Sequence, residues 1–94
     1  MTVGPTAERV ATIVNRRGLH ARAAAKLVNI AEQFQAEVLV SHDDQSVSAR
    51  SIMGLMMLGA GQNTRVTLSG RGADAQEAVA AIEGLIAAGF HEED

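Results

Sequence analysis

Apolar residues in this chain recur at two different periods, and the order in which those periods follow one another limits the folds open to it. Some segments alternate as half-buried strands do, while others carry apolar stripes at helical spacing. Glu8 to Val14 is the first β-rich stretch. Val10, Thr12 and Val14 fall on one side of it and Ala11 and Ile13 on the other, and either set could face inward. After Gly18 the spacing turns helical: Ala24, Leu27, Val28, Ala31 and Phe34 share a face, which predicts a helix over Ala21 to Phe34. Ala36 to Ser41 and Ser46 to Arg50 alternate again on either side of His42-Asp43-Asp44-Gln45, the pattern of a hairpin.

Ser51 can cap a short second helix carrying Ile52, Leu55, Met56 and Leu58, with Gly59 and Gly61 supplying left-handed residues at its end. Thr64 to Ser69 reads as a last strand with Val66 and Leu68 inward. The final helix opens with Asp74 and Glu77 at the spacing of a capping box. It presents Ala75, Ala78, Val79, Ile82, Leu85 and Ile86 as its stripe and stops at Gly89. The order is βαββαβα, an α+β fold in which three helices bury their stripes against one face of a sheet and the other face meets water. At 94 residues there is material for one core, so residues 8–90 are expected to form a single domain. Residues 1–7, around Gly4-Pro5, are expected to be a flexible leader, and residues 91–94 a frayed acidic tail.

Composition removes several functions. Phe34 and Phe90 are the only aromatics, so no strand offers the stacking residues that RNA recognition on a sheet requires, and the net charge of −3 argues against general nucleic-acid binding. There is no cysteine, and His20, His42 and His91 are too far apart for a short metal-ligand spacing, so neither a metal nor another cofactor is expected. His42 and His91 read as solvated turn and tail residues. No apolar run approaches the roughly 20 residues that span a bilayer, and a soluble, cytoplasmic, monomeric protein is the expectation. The charge distribution says more than its sum. From Val10 to Ala31 there is no Asp or Glu, while Arg9, Arg16, Arg17, Arg22 and Lys26, five of the eight cations, flank one histidine.

That histidine, in Gly18-Leu19-His20, falls where the first strand gives way to the first helix. The opening turn of a helix has N–H groups without intrahelical partners and carries about half a positive charge, which suits a phosphate. The same field disfavours imidazolium, and a neutral ring nitrogen is what a phosphoryl acceptor needs. Arg22, two residues on, can fork its guanidinium onto phosphate oxygens, with Arg17 near enough to contribute. The backbone N–H groups of Ala21 and Ala23 would complete a phosphoryl landing site.

The segment Asn15-Arg-Arg-Gly-Leu-His20-Ala-Arg22-Ala-Ala-Ala-Lys-Leu-Val28 resembles the phosphorylation-site segment of the HPr family, the histidine phosphocarriers of the phosphoenolpyruvate-dependent phosphotransferase system. A second segment, Ser46-Val-Ser-Ala-Arg-Ser51-Ile-Met-Gly-Leu-Met-Met-Leu-Gly59, resembles the family's regulatory-serine segment. The resemblance runs from Glu8 to Phe90. It implies an open-faced β-sandwich of four antiparallel strands covered by three helices. It also implies that His20 accepts phosphate on Nδ1 from phosphorylated enzyme I and passes it to a IIA-type component, with Arg22 stabilising the phosphate. The chain would then be a stoichiometric carrier in the sugar or the nitrogen-regulatory branch, with catalysis supplied by its partners. Ala23 stands where the family usually has proline, which restores one backbone donor to the first helical turn.

By the same resemblance Ser51 matches the serine that a dedicated kinase, HPr kinase/phosphorylase, phosphorylates in some members of the family. The second helix crowds Ile52, Met53, Leu55, Met56, Met57 and Leu58 together, more apolar residues than one buried face holds. Leu55 and Leu58 are assigned to the core, and Ile52, Met53 and Met56 to a docking surface beside His20, where methionine can adapt to several partners. A ferredoxin-like ligand-sensing or interaction module shares much of the element order but leaves the His20–Arg22 pair unexplained.

Overall fold

The computed structural model describes residues 5–92. The elements are β1 (Thr6–Thr12), α1 (Ala21–Ala31), β2 (Glu37–His42), β3 (Gln45–Ser48), α2 (Ile52–Met57), β4 (Arg65–Arg71) and α3 (Ala75–Ala87), followed by a single 3₁₀ turn at Gly89–His91. The strands form one antiparallel sheet in the order β1-β4-β2-β3. All three helices lie on one face: α3 crosses β1 and β4, α1 packs on α3 and α2, and α2 leans on β3.

Each stripe expected from the sequence is spent once on this core. Ala11 and Ile13 point inward from β1 and its continuation, while Val10 and Val14 are exposed, which decides the face that the sequence left open. Val38 and Val40 from β2 and Val66 and Leu68 from β4 meet Val79, Ile82, Leu85 and Ile86 of α3, all of them buried. A fully buried Val, Leu or Ile stabilises the fold by about 1.5–3 kcal/mol, so these aliphatics do the work that aromatics do elsewhere. Phe90, completely buried, is the one large ring in that core, and Phe34 packs against its edge. The outer sheet face carries Glu8, Glu37 and Arg71, with an Arg71–Glu37 ion pair at 3.1 Å.

Several boundaries differ from expectation for identifiable reasons. α1 stops at Ala31 because the N–H groups of Gln33 and Phe34 turn to the carbonyls three residues back, at 3.0 and 3.2 Å, and tighten the chain out of the helix. β1 starts at Thr6 and takes in the last residues of the expected leader. Pro5 accepts a bond from Gly72 N–H at 2.8 Å, and residues 1–4 lie outside the described residues. β4 runs two residues past Ser69 because it pairs on both sides, with β1 and with β2. Of the two glycines after α2, Gly59 is left-handed, at φ 65°, and Gly61 is not; Asn63, at φ 71°, takes the second left-handed position.

The expected capping box at α3 does not form. Asp74 makes no side-chain bond to its own helix, and its carboxylate instead accepts from the N–H groups of Gln35 and Ala36 at 2.9 and 2.7 Å, tying the loop before β2 to the start of α3. Those bonds, the Gln35 one foremost, outweigh the cost of burial and hold the Asp74 carboxyl below its ordinary pKa. His42 is not a solvated turn residue either: its side chain is only 15% exposed, and its Nδ1–H donates to the Arg65 carbonyl at 3.2 Å.

Candidate functional site

The loop between β1 and α1 is held from three sides. Gly18 adopts φ 65°, and a Cβ there would come within 2.4 Å of the Ala60 carbonyl oxygen, so only glycine lets this loop close on the segment after α2. Leu19, buried, donates its N–H to that same carbonyl at 3.0 Å. Asn15, 5% exposed, donates from Nδ2 to the Gly18 carbonyl at 2.9 Å. The chain therefore leaves the loop in one direction, and His20 arrives at the opening of α1 with extended backbone angles.

His20 is the N-cap of α1, and it caps with its ring: Nδ1 accepts the N–H of Arg22 at 3.3 Å. Histidine is not a preferred cap, and 3.3 Å is long for such a bond, so the lone pair on Nδ1 is held lightly. The ring is neither in the core nor turned away from its helix, with its side chain 22% exposed. Nε2 faces the other way and donates to the Glu92 carboxylate. The other oxygen of Glu92 accepts from Asn15 Nδ2 at 3.0 Å. Burial alone would push the Glu92 carboxyl up, but hydrogen bonds from His20 and Asn15 and the nearby positive charge of Lys26 carry its pKa below the usual value. Glu92 is thus a carboxylate, and an acceptor-only neighbour leaves the proton of a neutral ring on Nε2.

Ala21 and Ala23 stand in the first turn of α1, where N–H groups have no intrahelical carbonyl to meet. Arg17 and Arg22 are exposed, and among the described residues no acidic side chain pairs with either guanidinium or with Arg16. Arg9 does not belong to this cluster: it is on β1, paired with Glu83 of α3 at 2.6 Å. Lys26 extends its ammonium to the Phe90 carbonyl at 2.6 Å. The tail expected to fray is therefore anchored as far as Glu92, while residues 93–94 lie outside the described residues.

Ser51 caps α2 as expected, accepting the N–H of Gly54 on Oγ at 2.9 Å. Leu55 and Leu58 are buried, and Ile52, Met53 and Met56 are 40, 68 and 41% exposed. Met57, left out of the docking surface by sequence reasoning, is the most open of the set at 72%. The segment after α2 is bonded to the His20 loop, the Ala60 carbonyl accepting the Leu19 N–H. Sequence reasoning counted Lys26 only as one of the flanking cations, gave Asn15 no role of its own and missed Glu92. The available signal was charge, since an acid-free basic stretch and an acidic tail attract one another.

Comparison with known proteins shows the family. A family model described as the PTS HPr component phosphorylation site matches residues 7–88. Over 85 residues the chain is 49% identical to the phosphocarrier protein HPr of Cupriavidus necator, covering 90% of this chain and 96% of that one. It is 46% identical to the phosphocarrier protein NPr of Shewanella violacea over the same length, covering 90% of this chain and 93% of that one. The crystal structure of HPr-C-His from Thermoanaerobacter tengcongensis superposes with a TM-score of 0.88 at 43% identity, over 94% of this chain and 99% of that one. The chain belongs to the HPr family of phosphotransferase-system phosphocarriers, and its sheet and helices are the open-faced sandwich of that family. Phosphoryl carriage, rather than ligand sensing on a ferredoxin-like scaffold, is its function. No helix among the described residues is long and apolar enough to cross a membrane.

Proposed function

We propose that His20 is the phosphoryl acceptor, taking the group on Nδ1 from phosphorylated enzyme I and handing it to a IIA-type component in the cytoplasm. One observation supports this above the others: Nε2 is occupied by Glu92, so the free lone pair of the ring is on Nδ1, at the opening of a helix. A phosphoryl group bonded there displaces only the long bond from Arg22 N–H. Its oxygens then meet the first-turn N–H groups of Ala21 and Ala23 and the exposed guanidinium groups of Arg22 and Arg17. Four or five donors on an exposed rim hold the group without enclosing it, which fits a carrier that must release its cargo. The chain itself has no machinery for cleaving phosphoenolpyruvate in this reading and acts stoichiometrically, with its partners supplying catalysis.

Ile52, Met53 and Met56, extended by Met57, form the docking surface. Their adaptable thioethers suit a protein that must meet a donor and an acceptor with the same face. Ser51, at the edge of that surface, is the regulatory position, phosphorylated where HPr kinase/phosphorylase is present. A dianionic group there would be tolerated by the helix start and would oppose docking. Incubation with phosphoenolpyruvate and enzyme I should add the mass of one acid-labile phosphate, lost in His20→Ala. Absence of that mass with a cognate enzyme I overturns the proposal.

A further inference from the structure

The carrier reading needs only residues at the start of α1, yet the second nitrogen of the reacting ring is gripped by a residue from the far end of the chain. Glu92 is 11% exposed at its side chain. It reaches the ring because Phe90 is sunk in the core, the Phe90 carbonyl is bonded to Lys26, and the N–H groups of His91 and Glu92 close on Ala88 and Gly89 at 3.1 Å. Phe90 and His91 adopt φ 57° and 58°, a left-handed backbone that side-chain-bearing residues take up only at a cost. The fold bears that cost in two consecutive residues and delivers a carboxylate to His20.

Asn15 shows the same preference. Both hydrogens of its buried amide nitrogen are used, on Gly18 and on Glu92, while its Oδ1 is buried with no partner among the described residues. A buried acceptor left empty is unfavourable, and here it accompanies an amide turned so that its donor meets Glu92. Two donors, Asn15 Nδ2–H and His20 Nε2–H, converge on this side chain. A carboxylate offers a separate oxygen to each, whereas a carboxamide in the same place would turn its NH2 toward one of the two donors.

We propose that Asn15 and Glu92 are a positioning pair for phosphoryl transfer: Asn15 orients the Glu92 carboxylate, which holds His20 in the Nε2–H tautomer and offsets the charge that develops on its ring. The inference rests on the carrier reading. In the forward step the Nδ1 lone pair forms the new N–P bond while the donor's bond to phosphorus breaks, its electron pair leaving with the donor atom. No proton leaves Nε2, so the ring becomes an N-phosphoimidazolium whose positive charge lies against Glu92. When the acceptor attacks phosphorus, the N–P pair returns to Nδ1 and the neutral Nε2–H ring is restored. The logic is that of a histidine oriented by a buried carboxylate in nucleophilic catalysis, with the imidazole itself as nucleophile.

The test combines the ¹⁵N NMR spectrum of the His20 ring with the rate of phosphorylation by enzyme I, in the full chain and in Glu92→Ala and Glu92→Gln, circular dichroism serving as the check on folding. The unaltered chain is expected to show the Nε2–H tautomer. Glu92→Ala should gain Nδ1–H tautomer and phosphorylate about tenfold more slowly at saturating enzyme I, with KM changed less than about twofold. Glu92→Gln should recover part of the rate, since one acceptor remains, and Asp44→Ala on the distant hairpin should change neither readout. Unchanged tautomer and unchanged rate in a folded Glu92→Ala protein overturn the positioning pair while leaving the carrier reading intact. If the unaltered chain takes no phosphate, the carrier reading falls, and a tautomer indifferent to Glu92→Ala would show separately that the pair fails too.

Discussion

The starts of α1 and α2 are built alike and are equipped differently. Each helix is opened by a side chain that accepts an N–H from its own first turn, His20 through Nδ1 and Ser51 through Oγ. Around His20 there are exposed guanidinium groups, and the second ring nitrogen is engaged by a carboxylate. Around Ser51 there are Val47, Gly54 and the exposed side chains of Ile52 and Met53, and the neighbouring Arg50 is turned away to the Phe34 carbonyl at 2.6 Å. The comparison teaches that a helix opening is a general invitation to an anion, and that the side chains around it decide what the invitation is used for. In the proposed function, cations and an oriented nucleophile make the first opening a place to hold a phosphoryl group in transit, and an apolar rim makes the second a place where an added phosphate would spoil a protein contact.

The comparison can be broken at either end. The largest effect is expected at the first helix, where Arg22→Ala should slow phosphorylation of His20 by about a hundredfold in a stopped-flow assay, the scale seen when one well-placed charge-stabilising donor is removed. At the second helix, Ser51→Asp should weaken association with enzyme I by about tenfold in calorimetry, while thermal stability stays near that of the unaltered chain because Asp is as good a cap as Ser. Ser51→Ala should do the reverse, costing about 1 kcal/mol in denaturant unfolding while leaving phosphorylation of His20 unchanged.

The smallest effect sharpens the comparison with α3, whose Asp74 occupies a cap position but serves two amides of a preceding loop. Its carboxyl is held below its unfolded value, so its contribution is complete above the ordinary carboxylate range and disappears as the pH falls through the folded value. Asp74→Asn should therefore lower stability slightly at neutral pH and flatten the acid side of the pH–stability curve.

Most of the fold is legible in the sequence because apolar periodicity and burial have the same cause. The stripe of α3 and the Val38–Val40 and Val66–Leu68 alternations are all found inside. The first strand's face was not legible, since Val10 and Val14 are as apolar as Ala11 and Ile13, and only packing against α3 chooses between them. The capping box failed because Asp74 and Glu77 fit a local pattern while the unbonded amides of Gln35 and Ala36, 39 and 38 residues away, competed for the same carboxylate. At the site, the placement of His20 at a helix opening and Arg22 in its first turn follows from local signals. Glu92 had none: its role depends on where Phe90 is buried, which no spacing in the tail records.

The central claim is that the phosphoryl group goes to Nδ1 of His20 and not to Nε2. The direct measurement is the ¹⁵N and ³¹P NMR spectrum of the chain phosphorylated by enzyme I. The account predicts a phosphorus coupled to Nδ1 with Nε2 still carrying its proton. A phosphorus coupled to Nε2, or found on any residue other than His20, would contradict it.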